Sequence, residues 1–279
     1  MLAPTAPAPA TTIRVTPGTL GAGLSFWPMA SLRVERDGEI LRVTLARPEK
    51  RNAFGTELIE ELAAAFADVA AARAVVLAGD GPSFSAGADI EWMRASAELG
   101  FEENRADALL FRRMLQAIDR CPAPVVCRVH GAALGGAVGL VACCDVAIAG
   151  DEAVFAFPET KLGIVPAVIS PFVLARIGPG PARRYFLTGE RFGAETALRI
   201  GLVHEVDADP DTAVGRILEE LLSAGPEAVR SAKRLVLDAP LGDETATRIA
   251  STRASEEGQE GLHAFLERRP PSWRSGSSS

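Results

Sequence analysis

The chain has 279 residues, 48% of them hydrophobic, and a formal net charge of −7. That composition suits one sizeable globular core and disfavours nucleic acid as the main partner, because an acidic chain does not attract phosphate backbones. No uninterrupted apolar run of about 18 residues marks a membrane span.

In chain order, residues 1–30 are rich in Ala, Pro and Thr with Arg14 as the one charge, so they are expected to be a disordered lead-in without a secretory or mitochondrial signal. Order is expected from Ser31, where Leu32 and Val34 alternate with polar neighbours. Asp37-Gly38 signals a hairpin, and Leu41, Val43 and Leu45 alternate as in a half-buried strand. Thr56 is expected to cap a helix running to about Ala72, with Leu58, Leu62, Phe66 and Val69 on one side. A buried strand is expected over Ala74–Ala78, then a loop to Ala88 and a helix capped by Asp89. A longer helix is predicted over about 101–120 and a strand over about 125–129, followed by a glycine loop to Gly136 and another helix. Strands are predicted at about 145–149 and 153–157, and after residue 166 helices at about 167–177, 181–188, 193–200, 213–224, 227–238 and 243–268. This divides the chain into an α/β core over 31–200, a helical region over 201–270 and a flexible tail over 271–279.

The four cysteines, Cys121, Cys127, Cys143 and Cys144, form no C-x-x-C pair and have three histidines to complement them. No metal site is expected; reduced, buried thiols of a cytoplasmic protein are. His130 reads as a side chain hydrogen-bonded at a strand end, and Ser85 and Ser170 lack a His–Asp pairing for a hydrolase triad.

Two segments, Leu77–Asp89 and Val125–Gly136, share one plan of buried strand, glycine-rich loop and helix start. Such junctions expose backbone N–H groups with the positive end of a helix dipole behind them. Two of these donors converging on one point would form an oxyanion hole. Neither loop has the spacing of a phosphate motif.

Four motifs carry a resemblance to a known family. Arg47-Pro-Glu-Lys-Arg-Asn-Ala resembles R-P-x-x-x-N-A, and Phe84-Ser-Ala-Gly-Ala-Asp-Ile90 resembles F-x-A-G-A-D-[IL]. His130-Gly-Ala-Ala-Leu-Gly-Gly-Ala137 resembles a G-x-x-x-G-G loop, and Phe157-Pro-Glu-Thr-Lys-Leu-Gly163 resembles [FQ]-P-E-x-x-x-G. In order and spacing, residues 31–270 resemble the enoyl-CoA hydratase/isomerase (crotonase) family. The resemblance implies a ClpP/crotonase-like spiral of ββα units with a C-terminal helical trimerisation region, assembled as a homotrimer or a dimer of trimers. It implies an acyl-CoA thioester as substrate, with coenzyme A as part of the substrate and no separate cofactor. The amides of Ala88 and Gly136 are implied to bind the thioester oxygen, and Glu159 to act as general acid/base. Arg51, Ala53, Ala86, Ala88, Asp89, Ile90 and Gly136 are implied to border the coenzyme; Asp89 reads more readily as a helix cap. The ending Glu260-Gly-Leu-His-Ala-Phe-Leu-Glu-Arg-Arg269 also matches, so Phe265 and Arg268 are candidates to reach the nucleotide, including that of a neighbouring subunit.

Two departures stand out. Two-glutamate hydratases of the family carry a second carboxylate at the position held here by Gly139, and Pro166-Ala-Val-Ile-Ser-Pro171 replaces a P-G-x-G-G-T run. With one carboxylate, Glu159 would both activate water and return the proton, or a substrate carboxylate or another side chain would replace the missing group. Both variant segments resemble bacterial methylglutaconyl-CoA hydratases of leucine breakdown and hydratases of terpenoid degradation. The leading expectation is hydration of a 2-enoyl-CoA, with 3-methylglutaconyl-CoA as one substrate. The alternatives are a double-bond isomerase and a non-catalytic acyl-CoA- or RNA-binding family member.

Overall fold

The computed structural model describes residues 31–69 and 72–274; the N-terminal thirty residues, expected to be a lead-in, lie outside them. Strands β1 (Leu32–Asp37) and β2 (Ile40–Leu45) form an antiparallel hairpin around Asp37-Gly38. β2 pairs in parallel with β3 (Ala74–Gly79), and the sheet continues through β4 (Val125–Val129), β6 (Val146–Gly150) and β9 (Glu205–Asp207) in the order β1-β2-β3-β4-β6-β9. A second sheet joins β5 (Ala132–Leu134), β7 (Val154–Ala156) and β8 (Phe192–Gly193).

The near-continuous apolar strands follow from a sheet covered on both faces. Successive side chains alternate between those faces. Val75, Leu77 and Cys127 join a core with the helices α1 (Thr56–Ala67), α3 (Phe101–Asp119) and α4 (Gly136–Cys143). Val76, Val126 and Ile148 instead pack on Ala213, Val214 and Leu218 of α8 (Pro210–Ser223). In the repeats β4–β5–α4 and β6–β7–α5 (Ser170–Ile177), consecutive strands enter different sheets before a helix follows. This is the α/β spiral of ββα units expected from the motifs.

Helices α6 (Pro179–Thr188), α7 (Ala194–Arg199), α9 (Pro226–Asp238), α10 (Asp243–Ala254) and α11 (Glu256–Glu267) complete the chain. The boundary expected at residue 200 does not hold. β9 pairs with β6, and α8 covers the outer sheet face, because the alternating valines there need a partner as much as the inner ones do. The single helix expected over 243–268 is two, broken where the Ser255 hydroxyl accepts the Gly258 N–H as an N-cap. At α1, Gly55 is the N-cap and Thr56 the first helical residue. The start of the expected flexible tail is fixed: Ser272–Arg274 form a turn, with Trp273 Nε1 donating to the Ser223 carbonyl at 3.2 Å. Buried Lys233 ties α9 to the sheet, donating to Asp145 Oδ2 at 2.7 Å, and that same oxygen accepts the Val125 N–H. All four cysteines are buried and free, and burial pushes the Cys121 thiol up to about 11.

Candidate active site

The R-P-x-x-x-N-A motif is a loop organiser. Asn52 is fully buried at positive φ (53°) and donates to the carbonyls of Asp80, Ser83 and Phe84 while its Oδ1 accepts the Arg47 N–H. One amide side chain thereby holds the first turn against the glycine loop that follows β3. That loop is then stapled to β5: the Ser85 N–H donates to Ala132 and the Leu134 N–H to Ser85. The Ser85 hydroxyl donates to the Asn52 carbonyl and is spent on structure.

This stapling brings the two loops together. Ala88 precedes α2 (Ile90–Glu98), and Gly136 is the first residue of α4. Among the described residues, neither the Ala88 nor the Gly136 N–H is donated to another group, whereas their neighbours Asp89 and Gly135 are bonded to Phe54 and Ala156. A free N–H is expected at the first residue of a helix, which has no carbonyl one turn behind it.

Glu159 sits in the 3-10 turn Pro158–Leu162. Its Oε2 is buried and has no hydrogen-bond partner among the described residues, and burial raises its pKa above the ordinary glutamate value. Gly135 makes the approach feasible. It has φ +53°, and a β-carbon there would lie 3.1 Å from Glu159 Oε1.

Ala88, Gly136, Glu159 and Trp92 form the wall shared by two cavities. The smaller, about 160 Å³, is lined further by Phe54, Phe111, Val168 and Ile169. The larger, about 670 Å³, runs along Ala86, Met93, Ser96, Asn104, Leu162 and Ile164. Phe54 and Phe111 meet edge to face at 5.4 Å.

Gly139 and the variant segment before α5 are one feature. A β-carbon on Gly139 would lie 2.4 Å from Ile169 Cγ2 and 3.0 Å from Ile169 Cβ. Ile169 therefore occupies the space from which a second carboxylate would grow.

A model of the enoyl-CoA hydratase/isomerase family matches residues 35–276. The chain belongs to the enoyl-CoA hydratase/isomerase family. A solved enoyl-CoA hydratase from Shewanella pealeana superposes with a TM-score of 0.85 at 41% identity, covering 88% of this chain and 97% of that one. A 2,3-dehydroadipyl-CoA hydratase from Escherichia coli K12 is 34% identical over 88% of this chain and 99% of its own. A crotonyl-CoA hydratase from Syntrophomonas wolfei is 32% identical over 85% and 95%.

Of the residues singled out from the sequence, the crotonase fold brings Ala86, Ala88, Gly136 and Glu159 to the cavity walls. Arg51 and Ala53 line neither cavity: the Arg51 carbonyl accepts the Ala86 N–H, and Ala53 is buried. Asp89 caps α2 through the Glu91 N–H and pairs with Arg47 and Lys50, so its carboxylate is occupied. Ile90 is 66% exposed at the start of α2. Phe265, 82% exposed on α11, lines neither cavity. His130 is held at a strand end by Arg128 and the Gly81 carbonyl. Trp92 and Phe111 went unnoticed in the sequence, whereas Ile169 belongs to the Pro166–Pro171 segment, whose larger apolar residues in place of glycines read as narrowing or reshaping the acyl pocket. Trp92 stands three residues after the Asp89 cap, a spacing that would have placed it on the same side of α2.

Proposed function

We propose that this chain hydrates a 2-enoyl-CoA thioester to the 3-hydroxyacyl-CoA, with Glu159 making both proton transfers, from water to itself and then to C2. The observation that carries the reading is the buried, unpartnered Glu159 Oε2 on the wall it shares with the undonated N–H groups of Ala88 and Gly136. The thioester oxygen accepts both N–H groups. Water gives a proton to Glu159 as its oxygen bonds to C3. The double-bond electrons move onto the thioester oxygen as an enolate, and Glu159 then returns the proton to C2. Fixed backbone donors aimed at that developing charge are worth about 10²–10³ in rate each. Coenzyme A enters and leaves with the substrate, and the scheme uses no other cofactor.

In the same reading Arg51, Ala53, Ala86, Asp89 and Ile90 border the coenzyme. Phe265 and Arg268 reach the nucleotide of a neighbouring subunit in a homotrimer or a dimer of trimers. Free buried thiols support a cytoplasmic setting. The resemblance of the Val138–Asp145 and Pro166–Pro171 segments alone points to 3-methylglutaconyl-CoA; the terminal carboxylate of that substrate meets no cationic side chain among the described lining residues of either cavity, which counts against it.

The test is loss of the conjugated-thioester absorbance when purified protein meets crotonyl-CoA. Glu159→Gln is expected to lower kcat by at least about 10³-fold while acyl-CoA still binds. Retained turnover would remove Glu159 from the mechanism. The Ile169 side chain over Gly139 favours a second reading, double-bond isomerisation, which needs one carboxylate and no water. Reaction in heavy-oxygen water separates the two: hydration places the label in the product and isomerisation does not.

A further inference from the structure

We infer that the smaller cavity takes a short, uncharged acyl group, and that Ile169, seated over Gly139, sets where that group ends. The inference rests on the enoyl-CoA reading above and names its substrate class.

The thioester would sit on the wall shared by the two cavities, so its acyl and pantetheine arms leave in opposite directions. A pantetheine arm carries amides that need polar partners, and the larger cavity offers Ser96 and Asn104. The smaller cavity offers none: apart from Glu159, its lining side chains are aromatic, aliphatic or proline. Among the described residues, neither cavity is lined by a lysine, arginine or histidine. A carboxylate at the far end of the acyl chain would therefore lie in the smaller cavity against apolar side chains, and in either cavity without a counter-ion among the described residues. Among the described residues that line the smaller cavity, the ionisable group it would meet is Glu159, which carries the same sign of charge when ionised.

The end wall is held from behind. Ile169 is 2% exposed and is the N-cap residue of α5, its carbonyl accepting the Val173 N–H at 3.0 Å. With no side chain on Gly139, the Ile169 methyl settles onto the α4 backbone and cannot retreat further. The missing second carboxylate and the short pocket thus have one cause.

Calorimetry on the full chain with two unreactive esters, butyryl-CoA and glutaryl-CoA, tests the charge assignment apart from turnover. Butyryl-CoA is expected to bind at least about 30-fold more tightly, since an unpaired buried charge is strongly disfavoured. Equal binding would overturn the assignment whatever the enzyme turns over. If butyryl-CoA is preferred but crotonyl-CoA is not hydrated, the hydration reading falls and the acyl assignment stands. For the end wall, octanoyl-CoA is expected to bind more weakly than butyryl-CoA. Ile169→Ala is expected to raise the octanoyl-to-butyryl affinity ratio about tenfold, the scale set by a few methylenes in an apolar pocket. Undiminished octanoyl-CoA binding by the unmutated chain, or an unchanged ratio in a folded Ile169→Ala variant, would remove Ile169 from its role.

Discussion

Glu159 shows how a catalytic position is held at the expense of stability. Its buried Oε2 has no partner among the described residues, and burial raises its pKa. A carboxyl whose folded pKa lies above its unfolded value of about 4.3 stabilises the fold fully below that value. That contribution is lost as pH climbs through the raised value. Glu159→Gln has no such titration. Its melting temperature relative to the unmutated chain is therefore expected to rise between acid and weakly alkaline pH; a difference independent of pH would show that burial does not strain this group. The same shift moves the acid limb of kcat/KM upward, since the base must be ionised to accept a proton from water. A limb at the ordinary glutamate value would contradict the raised pKa.

At the scale of elements, the contact between α4 and the segment entering α5 couples Gly139 to Ile169, thirty positions away in the chain. Gly139→Glu alone is expected to destabilise the protein by about 2–3 kcal/mol, because it overpacks a rigid contact. Pairing it with Ile169→Gly should recover much of the melting temperature and place two carboxylates at the site. A double variant no more stable than the single one would show that the clash is not what excludes the second carboxylate. The motif residues were legible because each meets a local demand: Asn52 bonds three carbonyls, Gly135 has a positive φ, and Asp89 caps a helix. The walls were not legible. Phe111 reads in the sequence as one more apolar position of a long helix, and nothing in Pro166–Pro171 says which glycine it will cover. Strand β9 was missed for a similar reason, since its three residues pair with β6 across fifty-seven positions and are too few to signal a strand by alternation.

Across the whole molecule, apolar exposure gathers on the last helices and the links between them. Val236 is 80%, Leu241 93% and Leu266 74% exposed, alongside Phe265. Side chains of this size in one region suit contact with another copy of the chain. The expected solution state is a trimer or hexamer, read by light scattering, and Leu266→Glu with Val236→Glu should yield smaller species. A monomeric unmutated chain would contradict the proposed assembly. The Lys233–Asp145 pair and the Trp273 turn hold these helices to the sheet, so such a variant is expected to dissociate without unfolding.

The position of Trp92 gives the chain a built-in optical gauge. Its indole borders both chambers, while Trp273 packs near Ser223, remote from them. In a variant with Trp27 and Trp273 replaced by Phe, an acyl-CoA that displaces water from the Trp92 ring should move its emission to shorter wavelength, so occupancy can be followed by light from one residue before any bond is made or broken.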